Sequence, residues 1–269
     1  MPSRTYLPFH KGAGLIRPSA SAEGGSSIRV DPCKSVVAVF VFLLLAAGQI
    51  QAQTVRPLID ENVVKAAGKK ASGKIEYYND SLQPLNVTLE AKSFTVSPTG
   101  EISYRPVDGD VHLKLSEMSF RIPPRQSHYV FYQAWSDKLP AWCVLYAAFS
   151  GFRERTPEGF MIQVQLPHTI YLLPKQRLQK AELSIVRAEY LSQTKKVVVR
   201  VANSGDTFGR VLEADVQGRK TKATQGGFPL FPNSERQVEI PWQAASVPSK
   251  VVLHFDRFTM ETEVQGSTP

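Results

Sequence analysis

The side chains that could carry chemistry are few and scattered in this 269-residue chain. It has no Gly-x-Ser-x-Gly nucleophile motif, no Gly-rich loop ending in Lys-Ser or Lys-Thr, and no strand–glycine–helix dinucleotide motif. A tetrahedral metal site needs three or four convergent ligands. The histidines beyond the N-terminal region are too dispersed for that, and each is predicted to be a surface or strand-end residue: His112, His128, His168 and His254. We therefore predict a non-enzymatic protein without a metal or other cofactor.

Two further candidates for chemistry have simpler explanations. Asp108-Gly109-Asp110 could offer two oxygens to calcium, which takes six to eight, whereas Asp-Gly is typical of a hairpin turn. Cys143 lies within the apolar stretch LPAWCVLYAAF. It is predicted to be a buried small hydrophobe rather than a reactive thiol.

The N-terminal region carries an export pattern. Val36–Ala47 is an uninterrupted apolar run, which as a helix would cover about 18 Å, too little for a hydrocarbon core of about 30 Å. Lys34 precedes the run, and Gln49–Ala52 follows it with a small residue at the expected cleavage point. This order is that of a secretory signal, so residues 1–52 are predicted to be a disordered extension and signal peptide. The part before residue 30 could equally be an upstream start.

The charge of the remaining chain is mildly basic. The formal net charge is +8, and residues 1–52 hold five basic and two acidic side chains, which leaves +5. No run of five or six like charges occurs. Nucleic acid is therefore excluded as a predicted partner.

From Gly73 onward the dominant pattern is alternation of apolar and polar residues, which predicts half-buried strands. Lys74–Tyr78 leads into an Asn-Asp-Ser turn, and Leu85–Ala91 alternates again. The alternation slips by one residue near Glu117, which indicates a bulge or a strand break. Trp142–Phe149 is nearly all apolar, as expected for a strand covered on both faces.

A charged break at Leu173–Lys180 separates two series of strands. Roughly six further strands follow it, and no helical pattern of ten or more residues stands out. Short strands spaced by turn residues are typical of β-sandwiches. The sequence therefore predicts an all-β protein of two sandwiches in tandem.

Three stretches together resemble the periplasmic pilus-assembly chaperones of the PapD type: Lys74–Pro84, Met118–Ser127 and Phe228–Arg236. Each is similar to a strand and its adjoining Pro-containing or polar turn in that family. The resemblance implies two immunoglobulin-like domains. The predicted boundaries are 53–174 for the first domain, 175–181 for a linker and 182–264 for the second domain.

The resemblance also implies a binding strand. These chaperones lend an edge strand to an incomplete pilus subunit, so that main-chain hydrogen bonds give affinity and alternate side chains fill the subunit's groove. If Pro174 matches the proline that closes this strand, Phe160, Ile162 and Val164 take the alternating client-binding positions. The alternative is that these side chains face the protein's own core.

The family's cationic anchor is missing here. Its members hold the subunit's terminal carboxylate with a Lys near the end of this strand and an Arg from the first strand, a pair suited to charge-assisted hydrogen bonds. The Lys position is Thr169, and near the Arg position the only cation is Lys65. Pro167 also removes a ladder donor, which indicates an edge strand or a local break.

The predicted function is that of a periplasmic chaperone for pilus or surface-fibre subunits, with an outer-membrane assembly protein as a second partner. It would have no membrane anchor once the signal is cleaved. The alternative is a structural or adhesion module of tandem sandwiches that binds a folded target without a chaperone cycle.

Overall fold

The computed structural model describes residues 53–151 and 164–266. Within these ranges the chain is almost entirely β-strand, and the one helical element is a 3-10 turn at Lys180–Glu182. None of the described residues belongs to a helix long and apolar enough to cross a bilayer. The all-β prediction is confirmed, whereas the predicted signal segment lies outside the described residues.

The first sandwich is built from ten strands in the described part of the chain. In chain order they are β1 (Thr54–Arg56), β2 (Ile59–Val63), β3 (Ala71–Tyr78), β4 (Leu85–Val96), β5 (Ile102–Arg105), β6 (Val111–Leu115), β7 (Ser119–Ile122), β8 (Ser127–Ser136), β9 (Ala141–Ser150) and β10 (Val164–Leu173). One sheet has the order β1-β3-β8-β6. The other has the order β2-β10-β9-β4-β5, and β7 also pairs with β4.

The first strand of the sandwich is divided between the two sheets. β1 pairs with β3 in an antiparallel ladder. Only three residues later, β2 joins the opposite sheet and runs parallel to the second half of β10, with Ile59 opposite Thr169 and Val63 opposite Leu173. The chain therefore changes sheets between Arg56 and Ile59.

The apolar positions of the predicted alternation are those that form the core of this sandwich. Leu85, Val87 and Ile75 are fully buried, as their phase requires. The phase slip near Glu117 is a strand break rather than a bulge, because β6 pairs with β8 whereas β7 pairs with β4 in the other sheet. A chain that crosses from one sheet to the other has to exchange its inward and outward positions.

The second sandwich has eight strands in the described residues, where about six were predicted. They are β11 (Leu183–Leu191), β12 (Lys196–Asn203), β13 (Gly209–Gln217), β14 (Lys222–Leu230), β15 (Ser234–Pro241), β16 (Lys250–His254), β17 (Thr259–Glu263) and β18 (Gln265–Gly266). The sheets have the orders β15-β12-β11-β18 and β14-β13-β16-β17. The missed β17 and β18 are edge strands, which need little apolar surface.

An aromatic cluster joins the two sandwiches. Phe94 and Tyr171 of the first pack against Phe208 and Phe231 of the second. The ring centroids of Tyr171 and Phe208 lie 4.7 Å apart. A backbone hydrogen bond of 2.7 Å from Gln237 N–H to the Pro98 carbonyl ties the β4–β5 hairpin to the second sandwich. The predicted 175–181 linker falls between β10 and β11.

Candidate functional site

The first half of β10 has a neighbouring strand on one side only, as far as residues 53–151 and 164–266 show. Val164–Leu172 pairs with β9 along its whole length. On the other side β2 covers only Thr169–Leu173. Val164–His168 is therefore an open edge, able to accept another strand.

The backbone groups on this open edge can be assigned from one hydrogen bond. Thr169 N–H donates to the Leu58 carbonyl at 2.8 Å, so it points away from β9. Peptide groups two residues apart along a strand point to the same side. Gln165 and Pro167 therefore present their backbone to the open edge. The proline removes no hydrogen bond from the β9 ladder, which agrees with the sequence-based interpretation of Pro167 as a mark of an edge strand or a local break.

The side chains of the open half divide between the core and solvent. Val164 and Leu166 are partly buried against the core of the first sandwich. Gln165 and Pro167 are exposed. Val164 thus already contacts this protein's own core, while the two other predicted client-binding residues, Phe160 and Ile162, lie outside the described residues.

The predicted anchor residues Thr169 and Lys65 are not brought together. Thr169 lies opposite Ile59 at the start of the β2–β10 pairing. Lys65 is exposed and follows Val64, whose N–H donates to the Leu173 carbonyl at the far end of that pairing. At about 3.3 Å per residue, the two positions are separated by at least about 13 Å along the strand.

A buried polar cluster closes the inner end of the open edge. His168 is fully buried, so the prediction of a surface or strand-end histidine is wrong here, because its even-numbered position on β10 faces the core. Its Nδ1 lies 2.5 Å from the Pro57 carbonyl and donates to it, while Nε2 has no hydrogen-bond partner among the described residues. Burial lowers the pKa of His168, only partly opposed by the Pro57 hydrogen bond and the charge of Asp60. The neutral ring therefore fixes the point where the first strand changes sheets.

Two more side chains extend this cluster to β2. Tyr132 on β8 donates a hydrogen bond to the Asp60 carboxylate, and Asn62 Nδ2 donates to Tyr132 Oη at 3.1 Å. These contacts matter because no residue of β2 is fully buried. The strand is attached to the sandwich by polar contacts and its ladder rather than by apolar packing.

Beyond β2, a cavity of about 650 Å³ opens between the two sandwiches. Its central pair is Arg210 on β13 with Glu61 on β2: Nε and Nη2 of the arginine donate to Oε1 at 3.1 and 2.9 Å. The guanidinium also lies 6.0 Å from the ring centroids of Tyr171 and Phe208. Arg210 is thus held at the floor of the cleft by one carboxylate and two aromatic rings.

The rim of the cleft adds further positive charge. Lys175, Arg177 and Arg257 line it, and the carboxylate of Asp256 lies 3.3 Å from Arg177 and 4.0 Å from Arg257. Sequence analysis missed Arg210. No local signal could have found it, since its partner Glu61 is 149 positions away.

The remaining sequence predictions about chemistry have definite outcomes. Cys143 is a buried free cysteine, and burial raises the pKa of its thiol to about 12, so its interpretation as a small hydrophobe is confirmed. The predicted turn at Asp108-Gly109-Asp110 is present, with Val111 N–H donating to the Asp108 carbonyl at 2.9 Å, but it does not form a hairpin, because β5 and β6 pair with different sheets. Asp108 instead accepts from Arg105 Nε and Nη2 at 2.8 and 2.7 Å, which fixes this crossing between sheets.

Three potential metal ligands do converge on the second sandwich, at Glu213, Asp215 and His254. The ammonium of Lys222 already lies 2.8 Å from Asp215 Oδ2 and 3.6 Å from Glu213 Oε1. Burial opposes the charged form of Asp215, but hydrogen bonds from Lys222, Thr224 and His254 outweigh it and lower the pKa of Asp215. The cluster is a charge-compensated network in which a lysine provides the cation.

Comparison with known proteins gives matches among solved structures alone. No protein-family model matches the chain, and no curated protein does. A chain from the complex of the Salmonella enterica SafA pilin with the SafB chaperone covers 81% of this chain and 98% of its own length, at 11% identity and a TM-score of 0.48. A chain from the CsuC–CsuE chaperone–tip subunit pre-assembly complex of Acinetobacter baumannii Csu pili covers 81% and 100%, at 12% identity and a TM-score of 0.46.

A third match is a domain of a human protein. The PapD-like domain 7 of human CEP192 covers 58% of this chain and 96% of its own length, at 10% identity and a TM-score of 0.33. The first two matches come from chaperone complexes of the kind that the three sequence stretches resemble. The predicted pair of β-sandwiches is confirmed by the strand orders of the four sheets, and function has to be argued from the open edge and the cleft.

Proposed function

We propose that this protein is a non-enzymatic periplasmic chaperone that binds incomplete pilus or surface-fibre subunits by lending them the open edge of β10. The observation that carries the proposal is that Val164–His168 has a strand on one side only in the described residues, while β2 covers the rest of the strand. A visiting strand would pair with the backbone of Gln165 and with the carbonyl of Pro167. An outer-membrane assembly protein would then receive the subunit.

The side chains of β10 contribute in two ways in this proposal. Phe160, Ile162 and Val164 would present apolar surface to the client's groove, as the resemblance to the chaperone family implies. Val164 and Leu166 also contact the core of the first sandwich, which holds the lent edge in an extended conformation. A preformed strand binds its partner at a lower cost in conformational entropy than a flexible one.

The cleft supplies a charged anchor in place of the Thr169 and Lys65 pair. Arg210 is positioned by Glu61 at the floor of a cavity whose rim carries Lys175, Arg177 and Arg257. A client carboxylate could replace that of Glu61 on the guanidinium, since both make the same charge-assisted hydrogen bonds. The anchor would then come from the second sandwich rather than from β10.

The test is a pair of substitutions at Gln165. Gln165→Pro removes the one N–H that Gln165 and Pro167 together offer to the open edge, and it costs no hydrogen bond to β9. Gln165→Ala removes the side chain and keeps that N–H. We expect the native protein and Gln165→Ala, purified from the periplasm of the native host, to carry a stoichiometric small β-rich protein that lacks its final strand. Gln165→Pro should carry at least about tenfold less.

One outcome of this experiment would contradict the proposal. Equal amounts of client on Gln165→Pro and Gln165→Ala would contradict strand addition at β10, provided that both variants unfold at the same urea concentration as the native protein. A stable protein that binds only a folded target would favour a structural or adhesion module instead.

A further inference from the structure

A second surface of the first sandwich has a composition that the chaperone proposal does not use. It is the outward face of the sheet β1-β3-β8-β6, on the opposite side of the sandwich from the sheet that contributes the aromatic cluster with Phe208 and Phe231. We call it the β8 face. Neither the open edge of β10 nor the cleft belongs to it.

The β8 face has an aromatic row along its middle. Every second side chain of β8 points outward, in the order Tyr129, Phe131, Gln133 and Trp135, while the residues between them are buried. Phe131 is 59% exposed and Tyr129 is 44% exposed. A soluble sandwich has no structural need for two large exposed rings at adjacent outward positions, so this row indicates a contact surface.

Cations surround the aromatic row on the neighbouring strands and at the margin: Arg56, Lys70, Lys74 and Lys114. The Lys70 ammonium lies 4.9 Å from the ring centroid of Trp135, and that of Lys74 lies 5.2 Å from the ring centroid of Tyr129. Lys114 is opposite Gln133 in the β6–β8 ladder. The apolar stems of these lysines thus lie beside the rings while their charges remain at the surface.

Among the described residues, Glu76, Asp110 and Asp137 accompany the four cations, and each already has a partner; the Lys138 ammonium lies 3.9 Å from Asp110 Oδ2. Glu76 Oε1 accepts hydrogen bonds from Ser127 Oγ at 2.5 Å and from Tyr129 Oη at 3.2 Å. Asp137, at the end of β8, lies 3.6 Å from His112 Nε2. The net charge of the β8 face is therefore positive, which favours an anionic partner.

A shallow cavity of about 280 Å³ lies directly beside Phe131. Its lining includes Ser72, Lys114, Ser116 and Gln133. Hydroxyl, amide and ammonium groups are donors suited to the oxygens of a phosphodiester. The cavity thus places phosphate-binding groups next to the most exposed ring of the row.

We propose that the β8 face docks reversibly on the surface of a membrane that contains anionic phospholipid. Phe131 would enter the boundary between headgroups and acyl chains, Tyr129 would lie at headgroup level, and the cations would contact lipid phosphates. Such docking is distinct from a membrane anchor, because it rests on two exposed rings and surface charge. It is independent of the chaperone proposal and would hold if that proposal failed.

The test is sedimentation of the periplasmically purified protein with vesicles. We use vesicles of equal parts phosphatidylethanolamine and phosphatidylglycerol, and vesicles of phosphatidylcholine alone. We expect binding to the anionic vesicles that is at least about tenfold stronger than binding to the neutral ones and that weakens as salt is added.

Two variants and two matched controls assign the binding to the β8 face. Phe131→Ser and the double variant Lys74→Glu/Lys114→Glu should each weaken binding to anionic vesicles at least about tenfold. Val247→Ser removes a side chain that is 65% exposed on the second sandwich, and Lys180→Glu reverses an exposed charge in the 3-10 turn before β11; both should bind like the native protein. No binding by the native protein would overturn the proposal. Binding that survives in the two β8-face variants would overturn it as well, since it would belong to another part of the chain.

Discussion

The two halves of β10 have the same inner neighbour and different outer ones. β9 pairs with the strand from Val164 to Leu172, whereas β2 covers only the part from Thr169 onward. In the covered half, Ile170 and Leu172 are fully or almost fully buried, while Val164 and Leu166 in the open half are only half-buried. Within residues 53–151 and 164–266, one strand is thus paired on both sides at one end and on one side at the other, because the chain changes sheets at Pro57.

The largest effect on stability is expected from a substitution in the half of β10 that β2 covers. Ile170→Ala removes a fully buried side chain and should lower the free energy of unfolding by about 2–5 kcal/mol. Val164→Ala, in the open half, should cost about 1 kcal/mol or less, because less apolar surface is lost. Urea unfolding of both variants measures the difference. Equal losses of unfolding free energy would mean that the side chains of both halves contribute equally to the core.

The next effect concerns the histidine between the two halves. Burial lowers the pKa of His168 in the folded protein below the value of about 6.5 expected in the unfolded chain. The unfolded state therefore binds more protons once the pH falls below about 6.5. Stability that is fully present above that pH is lost on acidification, with a slope of up to about 1.4 kcal/mol per pH unit.

The measurement is the urea midpoint from pH 7.5 to pH 5.5 for two variants. His168→Asn can still donate to the Pro57 carbonyl but does not titrate, so its midpoint should vary less with pH than that of the native protein. His112→Asn, at a half-exposed position on β6, should keep the native pH dependence. A native slope in His168→Asn would assign the acid sensitivity to other groups.

The smallest effect on stability is expected at the cleft. The side chains of Arg210 and Glu61 are 25% and 41% exposed, and solvent screens such a pair, so a double-mutant cycle should give a coupling of about 1 kcal/mol or less. Substitutions of the two residues should differ more clearly in their effect on client binding. Arg210→Gln should weaken it, while Glu61→Gln should leave it equal or stronger because the guanidinium is released. Equal losses in both variants would indicate that the pair only orients the sandwiches.

The sequence predicts the strands of this protein well because most of them cover a core on one face. Leu85, Val87 and Leu89 alternate with polar residues and are buried as expected. The break near Glu117 could be located but not explained, since a bulge and a change of sheet produce the same one-residue slip. β17 and β18 escaped prediction because an edge strand with polar side chains has no periodic apolar signal.

The candidate site was only partly predictable. Pro167 and the alternation toward Pro174 pointed to β10, whose first half has one neighbouring strand among the described residues. The limits of its open edge depend on the parallel pairing with β2, in which Ile59 meets Thr169 across 110 positions, and no local pattern encodes that register. The same holds for His168, whose partner is the carbonyl of Pro57, and for Arg210 with Glu61.

Pro167 has a consequence for how long a visiting strand can be matched. Since it offers a carbonyl but no N–H to the open edge, a strand arriving from the Val164 side finds both a donor and an acceptor at Gln165 and only an acceptor one repeat later. The Leu58 carbonyl then occupies the next position, because it already accepts from Thr169. Backbone pairing with a visiting strand therefore has to end at Pro167, which would align every client at the same residue whatever its sequence.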